Sequence, residues 1–250
     1  MDKMEIGVIS YLLRHHGTAD AMDFLADLDY THTELDYRHA DGLTDFHKVD
    51  AKGAAEARKL CIAHGITPMA YCVGGLSKSA HADVLRNVFE FAKGLEVEVI
   101  TGVLDPDLLP ELTELCEEYK IYYAIENHFG NVFEAADTML AALEGHSMYI
   151  GFNPDTGHFA AAGVDPLEQV QKLAGRIYHV HFKDSDQRLP LGAGTVDLPA
   201  IYKELRRQGF DRLLSIEHHE YGGIADDTLR KGLAHDLGYI QGLVRAKYDD

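Results

Sequence analysis

GFNPDTGHF, residues 151–159, is the stretch on which the reading of the chain turns. Residues 148–152 form a short apolar run suited to a buried strand, and Asn153, Pro154 and Gly157 interrupt it. Asp155 and His158 are therefore expected at the C-terminal rim of that strand. Three further apolar runs carry an ionisable side chain at or near their ends. IYYAIEN (121–127) ends in Glu126, IYHVHFKD (177–184) carries His181, and LLSIEHH (213–219) carries Glu217. Two glutamates, one aspartate and one histidine, delivered by four strand ends, make a donor set suited to a hard-to-borderline divalent cation.

Outward from this stretch the same unit repeats. Strand candidates at 4–10, 32–37, 67–73, 97–101, 121–126, 148–152, 177–181 and 212–217 alternate with helical patterns. Met22, Leu25 and Leu28 share a face of the first helix. Leu85, Val88, Phe89 and Ala92 do so in the third, which closes at Gly94. Asp50, Asp105, Asp165 and Asp197 stand where helices start, two of them directly before proline, and Asn131 with Glu134 has capping-box spacing. Gly65, Gly175 and Gly209 stand where helices stop. Leu229, Leu233, Leu237 and Ile240 keep the last helix in register. Eight strand-then-helix units without a composition break predict one domain over residues 1–250, an α/β fold of the (β/α)8 TIM-barrel type rather than an open doubly wound sheet.

Composition narrows the function. The formal charge of −18 argues against nucleic acid as partner, since phosphate binding needs a basic face. No apolar run approaches a bilayer span, so no membrane is expected. The N-terminus, Met1-Asp2-Lys3-Met4-Glu5, enters a strand-like run without the basic region and cleavage site of a signal peptide. Cys61, Cys72 and Cys116 are too few and scattered for a disulfide framework or thiolate site. They read as buried small residues in a reducing cytoplasm. Self-association as a homo-oligomer is left open by the sequence.

Strand parity tests the donor set, because only alternate residues face a barrel interior. Tyr122, Ala124 and Glu126 share one face, as do Leu213, Ser215 and Glu217, and His179 and His181. His181, nearer the rim, is the better ligand of its pair; His179 reads as an interior-layer residue. Glu34 and Asp36 have inward parity on strand two and are expected to line the pocket. His15, His16, His218 and His219 read as rim surface. The glycine-rich segment LPLGAGTVD (189–197) has the length of a functional βα connection.

Taken together, AIENH, PDTGH, HFKD, the Gly-Ala-Gly loop and SIEHH resemble the sugar isomerase/epimerase superfamily, the xylose isomerase-like TIM barrels that also include endonuclease IV-type enzymes. The resemblance spans the chain in order and register. It implies that Glu126, Asp155, His181 and Glu217 bind one divalent ion, often manganese, with cobalt, magnesium and zinc also compatible. It implies that Glu126 and Glu217 are catalytic and move the substrate proton, and that His158 and a basic residue after strand seven, here Arg188, contact a small carbohydrate substrate. His128 has inward parity and is a further substrate-binding candidate. Lys183 is expected either to polarise a substrate oxygen or to pair with Asp184 behind the metal. The chain departs from relatives in two places. Val132 stands where ketose 3-epimerases of the family carry a second glutamate, and residues 185–197 lack the histidine of a trinuclear zinc site.

Chelation of two adjacent oxygens of an α-hydroxy ketone would stabilise the enediolate left when the neighbouring C–H loses its proton. A metal-dependent isomerase or epimerase is thus the expected activity. A lyase or dehydratase using the same enolate chemistry is the nearest alternative, and a non-catalytic sugar-binding barrel the next.

Overall fold

The computed structural model describes residues 4–76, 82–128, 130, 132–185, 189–217 and 226–246. Eight parallel strands follow one another around a sheet: β1 (Glu5–Ile9), β2 (His32–Asp36), β3 (Thr67–Leu76), β4 (Val99–Leu104), β5 (Tyr122–Glu126), β6 (Ile150–Asn153), β7 (Val180–Phe182) and β8 (Leu213–Ile216). Their order is β6-β5-β4-β3-β2-β1-β8-β7. The two remaining edges meet through isolated parallel bridges, Phe152 with Ile177 and Asp155 with His181. The sheet thereby closes into the expected (β/α)8 barrel.

Helices cover its outside: α1 (Thr18–Ala26), α2 (Ala51–Ala63), α3 (Ala82–Gly94), α4 (Leu109–Tyr119), α5 (Ala136–Ala142), α6 (Thr156–Ala161), α7 (Pro166–Lys172), α8 (Leu198–Arg207) and α9 (Asp226–Arg245). Among the described residues no helix is long and apolar enough to cross a membrane. Several starts follow from single aspartates. Asp50 accepts from the amides of Lys52 and Gly53, Asp165 from Leu167 and Asp197 from Ala200, each a cap contributing about 1 kcal/mol. Leu85, Val88, Phe89 and Ala92 are fully buried against the sheet, as the helical spacing requires.

The strand period sorts the two faces. Tyr123 and Ile125 join the large core between strands and helices, whereas Ala124 packs inside the barrel with Ala70, Val99, Tyr122 and Tyr178. Cys61, Cys72 and Cys116 are buried free thiols; burial pushes Cys61 up to about 12.

Four local expectations need correction. β6 begins at Ile150 and runs through Asn153, because Ile150 N turns back onto Ser147 O at 3.1 Å and leaves Met148 60% exposed. Asn153 is therefore a strand residue, and Gly157 lies inside α6 rather than breaking a strand. β3 runs on through Gly74 and Gly75 to Leu76, with a register shift between Cys72 and Gly75. A Cβ at Gly102 would lie 2.5 Å from Gly74 O, so β3 and β4 meet there only because Gly102 has no side chain. Lastly, α5 starts at Ala136 instead of at a capping box. Glu134 accepts from Gly130 N at 3.2 Å, and Asn131 lies outside the described residues.

Candidate metal centre

The C-terminal ends of β5 to β8 bring Glu126, Asp155, His181 and Glu217 together. One donor atom from each lies within 4.8 Å of the others, and all four residues are buried. Asp155 is held in two ways. Its Oδ1 accepts from His158 N at 2.8 Å, which makes it the N-cap of the six-residue α6. Its main chain is clamped by Asn127, whose Oδ1 accepts from Asp155 N at 2.6 Å and whose Nδ2 donates to Asp155 O at 3.1 Å. The second carboxylate oxygen, Oδ2, is left facing the cluster.

His181 is oriented from below. Glu34 Oε2 lies 2.9 Å from both His181 Nε2 and His179 Nε2, and Thr101 Oγ1 donates to Glu34 Oε1. Glu34 has no donor of its own when ionised, so this network assigns the proton to Nε2 of each ring. Nδ1 of His181 is then turned toward three carboxylates: Glu217 Oε2 at 2.7 Å, Glu126 Oε1 at 3.2 Å and Asp155 Oδ2 at 4.0 Å. A ring lone pair and three anionic oxygens converging on one point repel unless a positive charge stands among them. Burial disfavours a proton on His181, but Glu34, Glu217 and Glu126 outweigh it and raise the imidazole well above its usual range. Burial would likewise raise Glu34, yet His179 and His181 hold it far below the ordinary carboxylate range. One nitrogen and three carboxylates around a shared point, with the opposite ring nitrogen fixed by a carboxylate, are the donor and supporting set of a divalent-ion site. The residues present fit such an ion.

Lys183 is fully buried in the same cluster. Its Nζ lies 2.7 Å from Asp155 Oδ2 and 3.3 Å from Glu217 Oε2. Burial opposes the charge, but Asp155, Glu217 and Glu126 raise the ammonium above its ordinary value. The expected alternative, a pair with Asp184, is not formed, because Asp184 turns away into the loop that follows. Thr156 fixes the lysine backbone, accepting from Lys183 N at 2.9 Å and donating to Lys183 O. Gly157 makes room for its stem: a Cβ there would stand 2.7 Å from Lys183 Cγ.

His158 is buried beside the cluster, Nε2 3.7 Å from Asp155 Oδ2, and burial keeps its pKa below the usual histidine value despite that carboxylate. The exposed His128 lies over it, ring centroids 4.2 Å apart. His179 sits one layer down, as expected. Asp36 faces the rim but pairs with Arg38, Oδ2 to NH2 at 2.6 Å, so its carboxylate is engaged within the protein. His15 is exposed, and His16 lies 3.3 Å from Asp226 at the start of α9. Arg188, His218 and His219 lie outside the described residues. Sequence reasoning missed Asn127, whose only signal is its place directly after a strand-ending glutamate, and the hub role of Glu34. A cavity of about 1040 Å³ lies at the other end of the barrel, near Glu5, Asp29 and Arg206, and is remote from this chemistry.

The family model for xylose isomerase-like TIM barrels matches residues 22–241. An uncharacterized protein of Methanocaldococcus jannaschii is 30% identical over 132 residues, 48% of this chain and 45% of that protein. An inosose dehydratase of Clostridium botulinum is 25% identical over 142 residues, 47% of each. The chain spans about half the length of the curated relatives it matches. Among solved structures, D-psicose 3-epimerase in the presence of D-fructose superposes with a TM-score of 0.80 at 14% identity, covering 97% of this chain and 100% of the other. That likeness is one of fold.

Proposed function

The chain belongs to the xylose isomerase-like TIM-barrel family, and on that premise we propose that it is a metal-dependent isomerase or epimerase of a sugar or small polyhydroxy carbonyl compound. The convergence of Glu126, Asp155, His181 and Glu217 on one buried point carries the reading. These four residues would hold a divalent ion, manganese by family resemblance and cobalt, magnesium or zinc by donor chemistry, which would supply the Lewis acidity that makes the C–H beside a carbonyl removable.

The protein's own groups do the rest. Glu126 and Glu217 come from the ends of β5 and β8, three strands apart around the closed barrel through β6 and β7, and reach the same point, so a substrate between them meets a carboxylate on either side. One removes the proton from the carbon next to the carbonyl, and the C–H electron pair moves into the enediolate. The other returns a proton, to the opposite face of that carbon for epimerisation or to the neighbouring carbon for isomerisation. Lys183 holds Asp155 and Glu217 in place with its ammonium group, His158 and His128 flank the substrate, and the family resemblance adds Arg188 as a substrate contact.

A dehydratase reading has one observation in its favour, the half-length match to an inosose dehydratase. The same proton removal would then be followed by loss of a β-hydroxyl as water. Elemental analysis, chelation and metal add-back, with turnover measured on a panel of ketoses and keto-polyols, tests the proposal. Isomerase or epimerase activity restored by metal, with product mass equal to substrate mass, is expected. Loss of one water from the product would assign the dehydratase reaction, and full activity in the stripped protein would end the metal-dependent reading.

A further inference from the structure

In TIM barrels the loop after strand seven commonly helps bind a substrate phosphate through its backbone amides, and residues 189–197, with Gly192 and Gly194, have the composition for it. Here those amides are already used. Asp184, fully buried at the end of β7, accepts on Oδ1 from Ser185 N at 2.7 Å and Val196 N at 3.2 Å, and on Oδ2 from Gly192 N at 2.9 Å and Gly194 N at 3.0 Å. An ionised carboxylate offers about four lone-pair sites, and each is filled by one of these amides. The amides between them are committed as well. Leu191 N donates to Asp236 Oδ1 on α9 at 2.9 Å, Ala193 N to Pro190 O at 3.1 Å and Thr195 N to Ser185 Oγ at 2.9 Å. Every amide from residue 191 to 196 thus has an acceptor inside the protein.

The two glycines serve this packing. A Cβ at Gly194 would stand 2.1 Å from Asp184 Oδ1, and one at Gly192, whose φ is +84°, would stand 2.4 Å from the Tyr239 ring of α9. Glycine is needed so that the loop can close over Asp184 and lie on α9, which accounts for the Gly-Ala-Gly pattern without any ligand.

We propose that Asp184 is the resident anion of this loop, occupying the place a substrate phosphate would take, and that the site accepts an unphosphorylated, uncharged polyhydroxy carbonyl compound rather than a sugar phosphate. Among the described residues the neighbourhood agrees in charge. Lys183 is committed to Asp155 and Glu217, and Arg38 on the far rim to Asp36. A phosphate ester would therefore meet the carboxylates of Glu126, Asp155 and Glu217 without the amides of residues 191–196 to receive it.

This inference rests on the reading of the centre as one for polyhydroxy carbonyl substrates, but its test reads the loop directly and needs no turnover. Inorganic phosphate is titrated into magnesium-loaded, isotope-labelled protein while the amide resonances of Gly192, Gly194 and Val196 are followed. The same is done with D-fructose 6-phosphate against D-fructose. In the wild type these amides should exchange slowly with solvent and show no phosphate-dependent shift. Asp184→Ala, which empties the nest, should show saturable shifts with phosphate and with acetate, and both anions should raise its Tm while leaving the wild-type Tm unchanged. If that variant does not fold, the wild-type titrations decide alone. A saturable, phosphate-dependent shift at those amides in the wild type overturns the proposal, whether or not the metal-dependent activity is found.

Discussion

The two halves of the barrel use their strand ends differently. Strands β5 to β8 deliver Glu126, Asp155, His181, Lys183 and Glu217 to one buried point, where anionic groups outnumber the cationic ones. Strands β2 and β4 also carry inward polar groups, but each is satisfied inside the protein: Asp36 by Arg38, and Thr101 by Glu34, which in turn carries His179 and His181. Polarity alone therefore does not mark the site. What marks it is a set of charges that the protein by itself leaves unbalanced, supported from below by a set that is balanced.

The largest expected effect breaks the unbalanced half. Glu126→Gln and Glu217→Gln keep the shape and one oxygen donor but remove the base, so each should lower kcat by roughly two or more orders of magnitude, the scale of general acid–base catalysis. Metal binding should weaken and stay detectable by calorimetry. If both variants turn over at near wild-type rate with metal bound, the two glutamates are not the proton-transfer pair.

The next effect belongs to the support. Glu34→Gln can keep its hydrogen bonds, because its amide oxygen can face the two histidines while its NH2 turns to Thr101, whose hydroxyl then accepts. The loss is one of charge. Metal affinity is expected to fall by about 10–100-fold, the usual cost of removing a carboxylate behind a ligating histidine. Long-range nitrogen–proton NMR of the metal-free variant should still show His181 protonated on Nε2. Unchanged metal affinity would mean that Glu34 serves the fold alone.

A smaller effect is expected at Arg188. The family resemblance assigns a substrate contact to a basic residue after strand seven, here Arg188, and Arg188→Ala should raise KM by about tenfold, the value of one charge-assisted hydrogen bond, with metal content intact. Kinetics indistinguishable from wild type would remove it from the site.

Much of this arrangement was legible in the chain because strand period and breaker residues are local signals. Glu126 and Glu217 follow runs whose alternation fixes their inward parity, and His181 is two residues on from His179 with the same parity. What escaped is what depends on distant partners or very short elements. Glu34 lies 145 and 147 residues from the histidines it holds. Helix α6 has six residues, too few to show a period, so the capping role of Asp155 could not be separated from a strand end. The glycine-rich loop misled for a related reason. Composition shows that the backbone approaches something closely, and only the fold shows that the something is Asp184.

The smallest effect at the centre should come from the balanced rim. Arg38 donates to Asp36 from Nε at 2.9 Å and NH2 at 2.6 Å, while its guanidinium lies 4.2 Å from the Tyr11 ring centroid and 4.9 Å from that of Tyr37. Arg38→Met keeps the apolar stem against those rings and the bond from its own backbone N to Asp36 Oδ1, but it removes two charge-assisted bonds. Such bonds contribute about 1.5–3 kcal/mol when buried. The Arg38 side chain is 36% exposed, so water can reach part of the freed carboxylate, and the cost should be nearer 1 kcal/mol. For a chain of this length that lowers Tm by about 2–4 °C. Because Asp36 and Arg38 touch none of the four donors, the metal dissociation constant should not move. A fall in metal affinity as large as that of Glu34→Gln would show that the rim of β2 is coupled to the centre, and that the division between an unbalanced site and a balanced support is drawn in the wrong place.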